Sequence, residues 1–158
     1  MLDLAEIAPD HRVLEPSAGK GDILDMLRTH HPDAAVTAIE INGTLFDILE
    51  AKDHQVERGD FLEHRGEYDR VVMNPPFANG ADIDHIRHAF DQLAPGGRVV
   101  SVMSAGPFFR PDRKASEFRE WLDDLGGESE QLPDDAFRGV EALRETGVRT
   151  RVVWVDKG

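Results

Sequence analysis

Apolar positions along the chain follow two alternating rhythms. Short runs of contiguous or alternating apolar residues are separated by stretches in which they recur every three or four positions, the spacing of one helix face. The runs predict strands at Arg12 to Glu15, Ala35 to Ile41, Gln55 to Gly59, Tyr68 to Met73, Arg98 to Ser104, Glu128 to Leu132 and Val148 to Val155. Between them, Asp22 to His30 carries Ile23, Leu24 and Leu27 at helical spacing, and Gly43 to Lys52 reads as a second helix. Ile83, Ile86, Phe90 and Leu93 mark the face of a third, stopped by Pro95-Gly96-Gly97, and Phe118, Trp121, Leu122 and Leu125 stripe the last. No internal repeat, low-complexity segment or linker interrupts the pattern.

Such alternation predicts an α/β fold, a mostly parallel, doubly wound sheet with helices on both faces. Ligands of such sheets sit beyond the carboxyl ends of the strands, where the strand order reverses. If the chain starts at the sheet centre, runs outward for three strands and returns for the fourth, the turns after Leu14 and Met73 face each other. Both turns have unusual composition.

The first reads Glu15-Pro16-Ser17-Ala18-Gly19-Lys20-Gly21. Its small residues let backbone approach a ligand, and the N–H groups of the following helix start point into the crevice. A Gly-x-Gly turn alone is equally compatible with a tight strand-to-helix connection. Two features narrow the ligand. The third position of the dinucleotide fingerprint is Leu24, and Glu15 and Asp22 flank the loop, so a pyrophosphate would be repelled and a cationic ligand attracted. Glu40 follows Gly21 by 19 residues, near the spacing of about 20 at which an acid in this fold accepts hydrogen bonds from ribose hydroxyls. Gly59-Asp60-Phe61, after the third strand, offers a carboxylate for an adenine amino group and a ring to lie against the base.

The second turn is Asn74-Pro75-Pro76-Phe77. Its prolines fix φ and keep Asn74 out of helical geometry, so a stiff backbone presents the Asn side chain. Asn74 Oδ1 and the Pro75 carbonyl can both accept hydrogen bonds from an exocyclic amine, drawing its lone pair out of conjugation, while Phe77 stacks on the base. Catalysis would then be orientation and hydrogen-bond polarisation without a strong general base.

EPSAGKG, AIEI, GDF and NPPF, in this order and spacing, resemble the motifs of class I S-adenosylmethionine-dependent methyltransferases, specifically the adenine-N6 (amino) branch with its (D/N)PP(Y/F/W) tetrad. The resemblance covers nearly the whole chain. It implies a Rossmann-like, seven-stranded sheet whose last strand runs antiparallel beside the fifth. It also implies S-adenosyl-L-methionine as cofactor: Glu15, Pro16, Ser17, Ala18, Gly19 and Gly21 along its methionine part, Glu40 with Ile41 at the ribose, and Asp60 with Phe61 at its adenine. Asn74, Pro75, Pro76 and Phe77 would hold the target amine, with Asn74 also bordering the cofactor, and Met73 would pack beneath it. On this reading residues 1–158 form one catalytic domain without a separate target-recognition domain. Recognition would come from loops or a protein partner.

The loop after the fifth strand, Ala105 to Lys114, combines rings with cations. Phe108, Phe109, Arg110, Arg113 and Lys114 are candidate contacts to a flipped or single-stranded nucleotide, or a helix entry whose rings pack inward. Pro133 to Gly147, with Arg138 and Arg144, is a second candidate platform. The seven histidines predict no metal site: His30-His31 suit a helix C-terminus, and His85 and His88 share a helix face expected to be solvated. Trp121 and Trp154 are expected in the core.

Charge and composition then constrain the partner. With 18 Lys and Arg against 31 Asp and Glu, the net charge is −13, which excludes a broadly basic nucleic-acid surface. Contact with nucleic acid must be local, through the Arg110 to Lys114 loop, or assisted by a basic partner. The absence of cysteine excludes thiolate chemistry and disulfides. No apolar run of about 18 residues exists to span a membrane, and the first residues lack a signal-peptide pattern, so a cytoplasmic location is expected. The residues together favour an enzyme that methylates the exocyclic amine of adenine in nucleic acid, with DNA slightly ahead of RNA. Alternatives are methylation of a protein glutamine amide, against which Phe77 in place of tyrosine tilts, and a non-catalytic cofactor-binding subunit of a methyltransferase complex.

Overall fold

The computed structural model describes residues 1–133 and 149–158. Seven strands form one sheet: β1 (Arg12–Glu15), β2 (Ala35–Glu40), β3 (Val56–Arg58), β4 (Tyr68–Met73), β5 (Leu93–Ser104), β6 (Glu128–Gln131) and β7 (Thr150–Asp156). Their order is β3-β2-β1-β4-β5-β7-β6. β1 to β5 run parallel to one another, while β7 runs antiparallel to both β5 and β6. This is the Rossmann-like methyltransferase topology, and it sets β1 beside β4 at the reversal.

Side-chain alternation along the central strands builds two cores, because successive residues of a strand face opposite ways. Val13, Ala38, Val72, Val100 and Val152 pack with Ala5 of α1 (Leu2–Ala5), with Ile23, Leu24 and Leu27 of α2 (Asp22–His30), and with Leu49 of α3 (Gly43–Ala51). Their neighbours Leu14, Ile39, Val71, Met73, Val99, Met103 and Val153 pack with Ile83, Ile86 and Ala89 of α4 (Ala81–Asp91) and with Phe118 and Leu122 of α5 (Arg113–Asp124). Each face buries one set of helices.

Three expectations need correction. Leu93 is not on the third predicted helix face: α4 stops at Asp91, and Leu93 pairs with Tyr68 at the start of β5. Pro95-Gly96-Gly97 is therefore an irregularity inside the strand, where register shifts between Tyr68 and Arg70 and Gly96 takes φ +80°. A Cβ on Gly97 would lie 2.9 Å from the Ala94 carbonyl oxygen, so only glycine admits this detour. The histidine pair on α4 is not solvated, since His85 is buried and His88 half-buried, both against the Phe61 ring. Trp121 and Trp154 lie half-buried at the rim of the two cores. Val148 and the platform at residues 134–147, with Arg138 and Arg144, lie outside the described residues.

Candidate functional site

At the carboxyl ends of β1, β2 and β4, a cleft of about 370 Å³ opens between the two turns read from the sequence. Glu15, Pro16, Ser17, Ala18, Gly19, Glu40, Ile41, Asp60, Phe61, Asn74 and Pro76 all line it. Lys20, Asp22, Ile23, Leu45, Gly59 and His85 complete the wall. No short motif marked Ile23, Leu45 or His85; only their helical phase relative to the sheet brings them there.

Hydrogen bonds fix the first turn from within. The Ser17 N–H donates to Glu15 Oε1 at 2.9 Å, and the Ala18 N–H to the Ile39 carbonyl at 3.0 Å. Glu40 spans the cleft floor: its Oε1 accepts from the Gly19 N–H at 2.7 Å and its Oε2 from the Asn42 N–H at 2.8 Å. Each carboxylate oxygen has a further lone pair, so Glu40 can hold the turn and still accept from a ligand diol. Gly19 and Gly21 stand at φ +57° and +92°, which side-chain-bearing residues rarely adopt. Gly21 itself faces away from the cleft; a Cβ there would lie 2.8 Å from Leu49 Cδ2.

The second turn follows β4 directly. Asn74 is only 4% exposed at the cleft wall, Pro75 is buried, Pro76 exposed and Phe77 half-buried. Asp60 is set to cap a short helical turn, accepting from the Leu62 N–H at 2.9 Å, while Phe61 is almost fully buried, lending the cleft an edge against His85.

Asp82, the second residue of α4, is a buried carboxylate near the second turn that no motif announced. It is fully buried, and its Oδ2 accepts from both the N–H and the hydroxyl of Ser104, at 3.0 and 2.8 Å. This ties the segment after Phe77 to the end of β5. Burial holds its carboxyl above the ordinary aspartate value, opposed by the Ser104 and Ile83 bonds. A raised folded value means that this group's stabilisation is fully present below the unfolded aspartate value and is lost as pH rises through the folded one. Asp82→Ala strands the Ser104 donors and is expected to cost roughly 1–3 kcal/mol. That lowers Tm by about 3–10 °C. Thermal scans should show the gap from wild type wider near pH 4 than at pH 7; a constant gap would mean that Asp82 is not titrating differently on folding.

The loop after β5 is sorted by the structure. Phe108 turns inward against Phe118 with the Arg151 guanidinium 5.0 Å above its ring, whereas Phe109 is 73% exposed. The cations are paired: Arg110 with Asp112, Arg113 with Glu117, and Lys114 with Asp84 at 2.8 Å. None of these five residues lines the cleft. Arg119 braces the loop by donating to the carbonyls of Pro107 and Arg110.

A model of the methyltransferase small domain family matches residues 2–108, two thirds of the chain. The chain belongs to that family. Among curated relatives, the methyltransferase domain is 40% identical over 91 residues to ribosomal RNA small subunit methyltransferase C of Chromohalobacter salexigens, covering 53% of this chain and 25% of that protein. It is 32% identical over 106 residues to the protein of the same name from Mannheimia succiniciproducens, covering 59% of this chain and 32% of that one. The domain thus spans about a quarter to a third of the curated relatives it matches. Its fold is shared with the EcoKI restriction enzyme M protein (TM-score 0.77, 20% identity, 98% of this chain and 41% of that one). TrmN from Thermus thermophilus shares it too (TM-score 0.68, 22% identity, 99% and 47%).

The cleft fits S-adenosylmethionine, the methyl donor of this family. Among the described residues, Glu15, Asp22, Glu40 and Asp60 set four carboxylates against the one Lys or Arg, Lys20, on its wall. That donor set suits a sulfonium, an ammonium and a ribose diol and opposes a pyrophosphate. Among the described residues no cluster of His, Asp or Glu could hold a metal ion, and no helix is long and apolar enough to cross a membrane.

Proposed function

We propose that the domain transfers a methyl group from S-adenosylmethionine to the exocyclic amine of adenine in nucleic acid. The observation that carries the reading is the placement of Asn74 on the wall of the carboxylate-lined cleft, immediately before two prolines and Phe77. The bound donor supplies an electrophilic methyl on its sulfonium sulfur. Glu40 would hold the ribose, the Glu15 to Gly19 turn the methionine part, and Ile41, Asp60 and Phe61 the cofactor's adenine. Asn74 Oδ1 and the Pro75 carbonyl would accept the two amine hydrogens, turning the nitrogen lone pair toward the methyl. Phe77 would stack on the target base, and the proton released after transfer leaves to water.

The relatives' names bear on the substrate. Both are named for ribosomal RNA, which favours RNA over the DNA preference drawn from the sequence; the fold shared with the EcoKI M protein keeps DNA as the second reading. The reading includes a cytoplasmic location, where nucleic acid and cofactor meet. Because the loop cations are occupied by carboxylates, Phe109 is the group of that loop best placed to meet a nucleotide, by stacking rather than by charge.

The test is methyl transfer from labelled S-adenosylmethionine into ribosomal RNA, DNA and protein, with identification of the methylated atom. Label at adenine N6 supports the reading. Label on a guanine amine or a protein glutamine would redirect it, and cofactor binding without transfer to any substrate or substrate–partner mixture would favour a binding subunit. Base stacking is worth about 1–3 kcal/mol, so Phe109→Ala should raise the KM for nucleic acid roughly tenfold with cofactor affinity unchanged. An unaltered KM would remove this loop from the substrate interface.

A further inference from the structure

Outside the cleft, a closed ring of charged and polar side chains lies between α2 and the end of α3. Lys52, which caps α3, donates from Nζ to the Lys20 carbonyl at 2.9 Å and to Asp25 Oδ2 at 2.6 Å. Asp25 Oδ1 meets His54 Nε2 at 2.7 Å, and His54 Nδ1 meets the Arg28 guanidinium at 2.8 Å. A guanidinium only donates. Nδ1 of His54 is therefore the acceptor, and the proton on Nε2 points at Asp25. Arg28 closes the ring by donating to the Lys52 carbonyl at 3.0 Å.

Lys20 lies between the two left-handed glycines of the first turn, and its carbonyl is the turn's contact with this ring. Other bonds also hold the turn: Gly19 to Glu40, Ala18 to Ile39, the Gly21 N–H to the Ala18 carbonyl at 2.9 Å, and, from α2, the Asp25 N–H to the Gly21 carbonyl at 2.7 Å. Lys52 acts from the α3 side, where the missing Cβ of Gly21 leaves its Nζ 3.2 Å from the ideal Cβ position. Any side chain at Gly21 would displace the ammonium as well as strain the backbone.

We propose that Lys52 is a positioning residue for the cofactor, clamping the Gly19-Lys20-Gly21 backbone so that the turn and the Glu40 carboxylate bonded to it keep their binding geometry. Glu40 fixes one end of the turn and Lys52 the other, and Asp25, itself oriented by His54, fixes Lys52. The inference rests on the cofactor occupying the cleft. A clamp of this kind sets cofactor affinity without touching the reacting atoms.

The experiment is calorimetric titration of the whole chain with S-adenosylhomocysteine, together with steady-state methyl transfer. Lys52→Met is expected to weaken binding about tenfold, a charged hydrogen bond's share, and to raise the KM for the methyl donor similarly. The kcat at saturating donor stays within twofold, and Lys52→Arg, which keeps the charge and the donors, restores most of the affinity. If Lys52→Met does not fold, Lys52→Gln, too short to reach the Lys20 carbonyl, is read in the same way. Unchanged affinity and KM in a folded variant would overturn the clamp while leaving the cofactor reading intact. Absence of binding by the wild-type chain would overturn that reading, and the clamp with it.

Discussion

Asn74→Ala is expected to lower methyl transfer by about 10²–10³-fold, the usual cost of removing one preorganised polar group from the reacting centre, while cofactor affinity changes no more than a few-fold. The division follows from the local structure. Asn74 directly follows β4 on the cleft wall with its backbone pinned by the following prolines, so its loss deletes one acceptor while the prolines still hold the backbone. On the proposed reading the cofactor contacts concentrate on the opposite turn and on Glu40, whose bonds run to Gly19 and Asn42. Asn74→Asp keeps an acceptor at the same place, as the resembling tetrad allows, and should retain within about tenfold of the activity. Single-turnover methyl transfer with calorimetry on both variants separates the two effects. If cofactor binding collapsed with Asn74→Ala, the assignment of one turn to cofactor and the other to target would be wrong.

The legibility of this site in the sequence follows from what short-range chemistry can encode. The two turns announce themselves because special backbone states demand special residues: glycine at φ +57° and +92°, and proline after Asn74. Their meeting across the sheet was inferable from the order of strands, since a chain that winds outward three strands and returns places β1 beside β4. Boundaries failed where tertiary pairing overrode periodicity. Leu93 keeps helical spacing with Ile86 and Phe90, yet pairing with Tyr68 draws it into β5. His85 and Asp82 were hidden for a similar reason. Polar residues on a helix ordinarily face solvent, and only the docking of α4 on the sheet buries one in the cleft wall and the other under Ser104. The cation loop misled in the other direction: Arg110, Arg113 and Lys114 look like phosphate ligands as a string, but each has a carboxylate within reach in the fold. Part of the surplus of acids that gives the chain its charge of −13 thus pairs, at the surface, with the cations of this loop.

Glu40→Ala is expected to weaken cofactor binding about 100-fold, or about 2.7 kcal/mol, the largest loss of affinity from any single cleft residue. On the proposed reading Glu40 has two tasks on one carboxylate. It is buried at the floor of the cleft, accepts from the Gly19 and Asn42 N–H groups, and has lone pairs remaining for the ribose hydroxyls. Removing it deletes the ligand contact and leaves two backbone donors without their acceptor, at the turn whose left-handed glycines most need fixing. Glu40→Gln tests the double role. One amide oxygen can still accept from one N–H, but the NH₂ group points a donor at the other, so an intermediate loss of about tenfold is expected. Titration with S-adenosylhomocysteine gives the affinities, and thermal scans report the turn. A Glu40→Ala variant that binds within threefold of wild type would show that the ribose is held elsewhere. Equal losses for the alanine and glutamine variants would instead assign the effect to charge alone, and the bridging geometry between Gly19 and Asn42 would carry no part of it.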